Sequence, residues 1–200
     1  MIDGPAIDEV GVMLLRAASD VLASEGPAAL TVRRIASHAG VSTMNVYSRF
    51  GGKDGVVEHL FIEGFDRLAT AMTDVADTAD ALGDLQRCGI AYRQFALDNS
   101  TYYSIMFDRA IADFEPSAVA LDHAGHTLQL LADRLERAMQ MGALSRADPL
   151  HTAAAVWATC HGVMSLEMKH VGPGMVDWAR VYDEATDALV TGLVRGRHHA

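Results

Sequence analysis

Cysteine is scarce in this chain: Cys88 and Cys160 are the two thiols among 200 residues, and no C-x-x-C pair occurs. Their number excludes a disulfide framework and favours free, buried thiols in a reducing compartment.

The N-terminal segment lacks a basic stretch followed by an apolar one, so we expect no signal peptide. The longest uncharged stretch, 149–166, includes His, Thr and Gly and favours a buried helix over a membrane span. We therefore expect a cytoplasmic protein.

Sequence motifs of enzymes are also missing. The chain contains no Gly-rich phosphate loop, H-E-x-x-H or G-x-S-x-G, so we predict no catalytic residue, no cofactor and no enzymatic activity. His123 and His126 have a spacing that can hold a metal, but they fall beside Asp122, Gln129 and Asp133 on a polar helix face. This neighbourhood favours surface histidines, and we predict no metal site.

Strand signals are weak, because β-branched residues seldom alternate with polar ones and no hairpin turn stands out. Apolar residues instead recur at helical spacing, which predicts an all-α fold of nine helices. The predicted helices cover about residues 7–25, 32–39, 43–50, 53–75, 81–97, 101–110, 116–141, 149–170 and 176–194. Helix breakers and caps separate them at Gly26-Pro27, Gly40, Gly51-Gly52, Gly142, Asp148-Pro149 and Gly172-Pro173-Gly174.

Charge is distributed unevenly along the chain. The 16 basic and 26 acidic residues give a net charge of −10, yet the segment from Thr31 to Lys53 contains no Asp or Glu. Its cations are Arg33, Arg34, Arg49 and Lys53. A cationic segment on an anionic chain indicates a local site for a polyanion rather than a general attraction to one.

The same segment has the pattern of two short helices joined by a tight turn. Thr31 and Ser42 are placed to cap the second and third helices, and Gly40 supplies the positive φ that such a turn needs. Charge and spacing together indicate a DNA-binding helix-turn-helix.

The exposed face of the third helix carries side chains suited to a DNA major groove. Asn45 can pair with an adenine edge through its amide. Thr43 and Met44 can touch thymine methyls, and Tyr47 can reach a phosphate or a base. Ser42 and the free amides of the helix N-terminus suit a phosphate. The predicted DNA-binding residues are Thr31, Arg33, Ser42, Thr43, Met44, Asn45, Tyr47, Ser48, Arg49 and Lys53.

The opposite faces of the two short helices are apolar. By spacing, the inward positions are Val32, Ile35, Ala36, Ala39, Val41, Val46 and Phe50.

Thr31, Arg33 and Lys53 flank the groove and are suited to holding the DNA backbone, which fixes register without reading sequence. For Arg34 and Ser48, an ordinary solvated surface is the competing interpretation.

From about Val12 to Leu68 the chain resembles the TetR family of transcriptional regulators. The resemblance is carried by AASDVLASEG, TVRRIASHAGVSTMNVYSRF and GGKDGVV. The family pattern T-x-x-x-I-A, A-G-V-S and Y-x-x-F before a lysine falls on Thr31, Ile35, Ala36, Ala39 to Ser42, Tyr47, Phe50 and Lys53. It implies a dimer that binds operator DNA, usually as a repressor released by a small molecule. Met44 and Asn45 differ from the family's frequent residues, so no operator sequence is carried over.

The predicted helix over 149–170 is apolar nearly all round. One stripe holds Ala153, Trp157, Cys160, Met164 and Met168, and the opposite side holds Val156, Val163, Leu166 and Val171. A helix that is buried on two sides separates two environments. We therefore expect one side to face an internal cavity and the other to face a partner helix.

The last helix has an apolar stripe of its own, and small residues such as Gly162, Ala188 and Gly192 permit close approach. Pairing the helices at about 149–170 and 176–194 with their symmetry mates would form a four-helix homodimer interface. From the residues alone, completion of a monomer core is an equal alternative, whereas the TetR resemblance favours the dimer.

A shorter resemblance links the C-terminal part to one TetR subclass with a W-x-x-x-H-G motif. It rests on 157–162, on 103–107 and on the Gly142-x-Leu144 run. A cavity lined by apolar groups and a few polar ones would suit a small lipophilic effector. The candidate effector-binding residues are Phe95, Tyr103, Met106, Phe107, Met139, Trp157, Cys160, His161 and Met164. For each residue taken singly, ordinary core is the competing interpretation.

These observations predict a helix-turn-helix DNA-binding domain over residues 1–53 and a six-helix ligand-binding and dimerisation domain over 54–200. The expected function is sequence-specific transcriptional regulation, by a repressor that a small lipophilic effector releases from a palindromic operator. A helical-bundle enzyme or binding protein with a His/Cys site is the alternative.

Overall fold

A computed structural model describes residues 7–108, 111, 113–171, 174 and 176–195. Within these ranges the chain forms nine α-helices and no strand, which confirms the predicted all-α fold. A short 3₁₀ turn, Pro27–Ala29, follows the first helix. The helices are α1 (Glu9–Glu25), α2 (Val32–His38), α3 (Thr43–Phe50), α4 (Lys53–Thr73), α5 (Ala81–Asp98), α6 (Ser100–Phe107), α7 (Ala118–Gln140), α8 (Pro149–Met168) and α9 (Trp178–Arg195).

Helix ends follow the capping chemistry read from the sequence. The Thr31 hydroxyl accepts the backbone N–H three residues along at 3.1 Å and so caps α2. Asp148 caps α8 in the same way at 2.8 Å, with Pro149 in the first turn. Gly40 and Gly142 adopt φ values of 68° and 73°, which a residue with a Cβ rarely adopts. The predicted turn and helix ends at these positions are confirmed.

Several helices are slightly shorter than predicted. The fourth helix ends at Thr73 and the eighth at Met168, each two residues before its predicted end. The sixth ends at Phe107, and the predicted extension to Ala110 lies outside the described residues, as do Gly172 and Pro173. Terminal turns lack half of their backbone hydrogen bonds, so sequence patterns locate them less well than helix interiors.

The chain is organised in two compact units, residues 1–65 with 99–122 and residues 66–98 with 123–200. In the first unit, α1 packs against α2, α3 and α6, and α2 packs against α3. Its fully buried side chains include Leu14, Ala18, Val21, Ile35, Val46, Val56, Val57 and Leu60. The predicted division at residue 53 is a division by function and stays a prediction.

In the second unit, α8 packs against α9 and α5. A cluster of buried residues forms its core: Ala81, Ala132, Leu135, Ala138, Met139, Leu144 and Ala153. Small side chains in this cluster let the helices approach closely. Among the described residues, no helix combines the length and apolar character that crossing a bilayer requires.

Candidate nucleic-acid interface

The helix-turn-helix is built around four inward side chains. Ile35 and Ala36 of α2 and Val46 and Phe50 of α3 are buried. Across the turn, the N–H of Val41 donates to the carbonyl of Ala36 over 3.0 Å. This bond and the positive φ of the turn glycine fix the angle at which α3 leaves α2, because a rigid turn with buried contacts on both sides permits one arrangement.

The outward face of α3 is exposed, as its spacing predicts. Met44 is 70% exposed and Tyr47 is 54% exposed, and Thr43 and Ser48 are exposed beside them. Large apolar or aromatic side chains rarely stay in solvent without a reason when they lie together on one helix face. This surface is therefore available to a groove-shaped partner.

Asn45 lies deeper than the sequence suggests, since it is only half exposed. Its amide nitrogen Nδ2 donates to Ser42 Oγ over 3.1 Å, and its oxygen Oδ1 accepts from Arg49 Nη1 over 2.9 Å. Ser42 occupies the N-cap position of α3 but makes no side-chain capping bond. The predicted phosphate holder and the predicted base reader thus contact each other.

Arg49 is bound by an acidic residue from outside the predicted segment. Its Nε and Nη2 donate to the two carboxylate oxygens of Asp8 over 2.7 and 2.6 Å. The Asp8 carboxylate also accepts from the Gly11 backbone over 2.8 Å, which caps α1. Hydrogen bonds from Arg49 and then from Gly11 lower the pKa of Asp8 to about 2, so the pair is charged at neutral pH.

Arg34 is likewise held within the protein. Its Nε lies 2.9 and 3.0 Å from the two carboxylate oxygens of Glu25. His38 Nε2 lies 3.6 Å from an Asp20 carboxylate oxygen. Acidic side chains of α1 therefore contact Arg34 and His38 of the helix-turn-helix.

Two cations of the basic segment remain open to solvent. Arg33 is exposed and Lys53 is half-exposed, and neither forms an ion pair with any residue that the structure describes. They stand at the start of α2 and the start of α4. Flexible cations on the helices that adjoin an exposed recognition helix in the chain are suited to phosphates beside a groove.

The junction between α3 and α4 is tightly fitted. Gly51 ends α3 in the left-handed region, with φ 70°. A Cβ on Gly55 would lie 1.8 Å from the carbonyl oxygen of Phe50, so only glycine fits there. The ring of His59 packs edge-on against Phe50 with centroids 5.0 Å apart. These contacts hold the C-terminal end of α3 against α4.

The candidate effector residues are divided between the two compact units. Tyr103, Met106 and Phe107 belong to the first unit, and the other six belong to the second. Six are buried, namely Phe95, Tyr103, Met106, Met139, Cys160 and Met164, whereas Phe107 and His161 are half-buried. Each compact unit therefore holds part of the predicted set in its interior.

Trp157 differs from its predicted stripe. It is 38% exposed, whereas Val163, predicted on the opposite side, is buried with Cys160 and Met164. The ring of Trp157 lies 5.8 Å from that of His161. Because α8 is apolar on every side, periodicity could not show which stripe faces the core. The exposed residues of α8 are Leu150, His151, Ala154, Ala155, Trp157, Ala158, Gly162 and Leu166. All except His151 are apolar or small, and Leu150, Ala154, Trp157, Ala158, Gly162 and Leu166 form the exposed stripe of α8.

The chemistry of a His/Cys enzyme finds no support at Cys160. Burial raises the pKa of this thiol, and it raises that of Cys88 to about 11. A thiol that stays protonated is a poor nucleophile and a poor metal ligand. His123 Nδ1 lies 2.6 Å from an Asp66 carboxylate oxygen. In the described part of the chain, no three His, Cys, Asp or Glu side chains are grouped as metal ligands would be.

Comparison with solved structures gives the fold an independent reference. A protein of unknown function from Rhodococcus sp. RHA1 aligns with a TM-score of 0.79 and 22% identity, over 96% of this chain and 100% of that one. The fatty acid degradation regulator FadR from Bacillus halodurans aligns with a TM-score of 0.74 and 20% identity, over 98% and 100%. The TetR family transcriptional regulator PfmR from Thermus thermophilus gives 0.70 and 20%, over 90% and 98%.

Sequence comparison assigns the family. The model described as bacterial regulatory proteins, tetR family, matches residues 14–60. The model described as tetracyclin repressor-like, C-terminal domain, matches residues 85–193, which is more than half of the chain. None of the curated proteins matches the sequence. The chain therefore belongs to the TetR family of DNA-binding transcriptional regulators, which are not enzymes.

Proposed function

We propose that this regulator is a cytoplasmic repressor that binds a palindromic operator as a homodimer and leaves it when a small lipophilic effector binds. The observation that carries the DNA part is the exposed face of α3, together with two solvent-open cations on the neighbouring helices α2 and α4. Met44 and Tyr47 are exposed on that face, and Arg33 and Lys53 lie on the helices before and after α3 in the chain. Apolar and amide groups suit base edges, whereas the cations suit phosphates.

The proposed DNA-binding surface comprises the ten predicted residues, with two kinds of role. Thr43, Met44, Asn45 and Tyr47 are positioned to meet base edges. Thr31, Arg33, Ser42, Ser48, Arg49 and Lys53 are positioned around them, and most of these are exposed. Arg49 acts mainly within the protein, because its guanidinium is engaged by Asp8 and Asn45.

The proposed homodimer rests on the exposed stripe of α8. Leu150, Trp157 and Leu166 are all exposed there, and Ala154, Ala158 and Gly162 lie between them. A contiguous apolar stripe interspersed with small residues is typical of helices that pack against a second copy. Val194 of α9 is exposed as well. We therefore place the interface on 149–170 and 176–194, as the sequence predicts.

The effector proposal is supported by the composition of the candidate residues. Eight of the nine have apolar, aromatic or thiol side chains, and His161 adds a polar group. Methionines at 106, 139 and 164 adapt their shape easily to flexible apolar ligands. One structural relative is a fatty acid degradation regulator, which is consistent with a lipophilic compound. The spacing of Trp157, His161 and Gly162 in the sequence is what supports the assignment to the W-x-x-x-H-G subclass.

The DNA proposal is tested by fluorescence anisotropy on duplexes that tile the region upstream of its own gene. We expect saturable binding to one fragment that survives an excess of unrelated duplex. Absence of binding to every fragment at low salt would contradict the proposal, because low salt maximises the phosphate contribution. Dissociation of the bound fragment by fatty acids or their thioesters would support the effector class.

A further inference from the structure

A continuous chain of hydrogen bonds leads from α1 to the exposed face of α3. The Asp8 carboxylate binds Arg49 through two bonds of 2.7 and 2.6 Å. Arg49 Nη1 then donates to Asn45 Oδ1 over 2.9 Å, and Asn45 Nδ2 donates to Ser42 Oγ over 3.1 Å. Asp8 lies before residues 14–60, the part of the chain that matches the tetR family model.

This series of hydrogen bonds determines which end of the Asn45 amide faces which neighbour. A guanidinium has five N–H donors and no acceptor, so the amide oxygen must be the end that faces Arg49. The NH₂ end therefore faces Ser42. One lone pair on Oδ1 and one N–H on Nδ2 remain for an outside partner. That donor–acceptor pair matches the N6 and N7 edge of adenine.

Arg49 in turn has its own orientation fixed by Asp8. The carboxylate binds Nε and Nη2 in a bidentate fork, the geometry with the most directional restraint available to arginine. The same carboxylate is anchored by the Gly11 N–H over 2.8 Å. Removing Asp8 would release a long, flexible cation beside the reading surface, and the Asn45 amide would lose its fixed neighbour.

We propose that Asp8 is a positioning residue for sequence discrimination. It acts through Arg49 to hold the Asn45 amide in one orientation, and it keeps the Arg49 charge from binding DNA phosphates indiscriminately. The inference rests on the proposed function, since it requires that Asn45 meets a base. Asp8 thereby lowers the affinity for any DNA while raising the preference for one sequence.

The α1–α2 ion pair provides a matched comparison within the same fold. Glu25 also binds two nitrogens of Arg34: Nε lies 2.9 and 3.0 Å from its two carboxylate oxygens, and Nη2 lies 2.5 Å from Oε1. Among the described contacts, Arg34 touches none of the proposed base readers with its side chain. Loss of Glu25 would therefore free the Arg34 cation without changing the contacts of a proposed base-reading residue.

The test compares Asp8→Asn with Glu25→Gln. Asparagine caps a helix about as well as aspartate, so Asp8→Asn removes the charge and the strong fork while keeping the start of α1. The wild type first enriches sequences from a randomised double-stranded DNA library. Each protein is then titrated with the enriched duplex and with a scrambled duplex of the same composition. The measured quantity is the Kd for the scrambled duplex divided by the Kd for the enriched duplex. This ratio does not depend on the folded fraction of the sample.

We expect Asp8→Asn to reduce that ratio by about tenfold, the scale of one bidentate base contact. Its affinity for the scrambled duplex should rise, with a salt dependence steeper by up to about one phosphate contact. Glu25→Gln should also raise affinity for the scrambled duplex but leave the ratio within about twofold of wild type. In an Arg49→Met background, Asp8→Asn should no longer change the ratio.

An unchanged ratio for Asp8→Asn would overturn the inference while leaving the proposed function intact. An equal loss of the ratio in Glu25→Gln would also overturn it, because a general effect of charge would then explain the result. If the wild type enriches no sequence at all, the proposed function itself fails.

Discussion

Arg137 of α7 donates from Nη1 to Oδ2 of Asp84 in α5 over 2.9 Å. The Asp84 side chain is only 2% exposed. Its carboxylate also accepts from the backbone N–H and the hydroxyl of Thr78, over 2.7 and 2.9 Å, and from Arg87. A charge this deeply buried is tolerated because every side of the carboxylate meets a donor.

We expect Asp84→Asn to destabilise the protein strongly. The amide cannot accept the same set of bonds, and two arginines would keep their charge without the partner. The Tm should fall by an amount on the order of 10 °C, measured by circular dichroism at fixed protein concentration. Asp77→Asn is the matched control, because Asp77 binds Arg134 over 2.7 Å but is 55% exposed. Its Tm should change by no more than about 2 °C, and equal losses in both variants would contradict the prediction.

Acid should remove the contribution of Asp84. Hydrogen bonds from the Thr78 backbone, and then from Arg137, Thr78 and Arg87, lower the pKa of this carboxyl well below its usual value. A lowered folded-state pKa stabilises the protein fully above the unfolded-state pKa of about 3.9, and the benefit is lost as the pH falls below it. The difference in urea-unfolding free energy between wild type and Asp84→Asn should be constant from about pH 7 to 5 and shrink between about pH 4 and 2. A difference that grows on acidification would refute the assignment.

Local chemistry in the sequence was sufficient to predict the helices and the turn. Thr31 and Asp148 cap helices, and Gly40 and Gly142 adopt positive φ, as their residue types require. These features depend on neighbours within four residues. The same rule placed Ser42 at a helix start, but its hydroxyl binds Asn45 rather than a backbone N–H.

Long-range pairings could not be predicted in the same way. Asp8 and Arg49 are 41 residues apart, and many acidic residues could equally have met that arginine. The sequence of the basic segment therefore suggests four cations open to DNA, whereas Arg34 and Arg49 are paired with acidic side chains in the folded protein. The orientation of Trp157 was also beyond the sequence, because an all-apolar helix such as α8 carries no periodic signal.

Arg33→Ala and Lys53→Ala should weaken DNA binding to all sequences alike. Each removes one solvent-open cation, so the slope of log K against log salt should become shallower by about 1. Arg34→Ala is the control, because Glu25 already holds that guanidinium, and its slope should change less. Asn45→Ala should instead alter sequence preference at one position of each half-site. Anisotropy titrations over a salt series distinguish these outcomes, and an equal effect of all three cations would refute the division between open and paired cations.

Gly55→Ala should impair DNA binding although Gly55 is not one of the proposed DNA-binding residues. The added Cβ would meet the Phe50 carbonyl oxygen at 1.8 Å, so the C-terminal end of α3 must move away from α4. We expect a lower Tm and at least a roughly tenfold loss of operator affinity, because small misplacements of a reading surface cost whole contacts. Gly125→Ala is the control, since nothing lies within 4 Å of its Cβ position. Replacing an exposed helical glycine should raise stability by up to about 1 kcal/mol. Wild-type affinity in Gly55→Ala would show that the junction does not position α3.

Leu166→Glu should separate the proposed homodimer. Leu166 is an exposed member of the apolar stripe on α8. A glutamate there would place an unpaired charge in the proposed apolar interface, which is costly. Sedimentation velocity should show a dimer for wild type and a monomer for the variant at the same concentration. Ile90→Glu is the control, because Ile90 is also an exposed large apolar side chain but lies on α5. It should remain dimeric. Dissociation of Ile90→Glu with an intact Leu166→Glu dimer would place the interface on α5 and refute the assignment to α8 and α9.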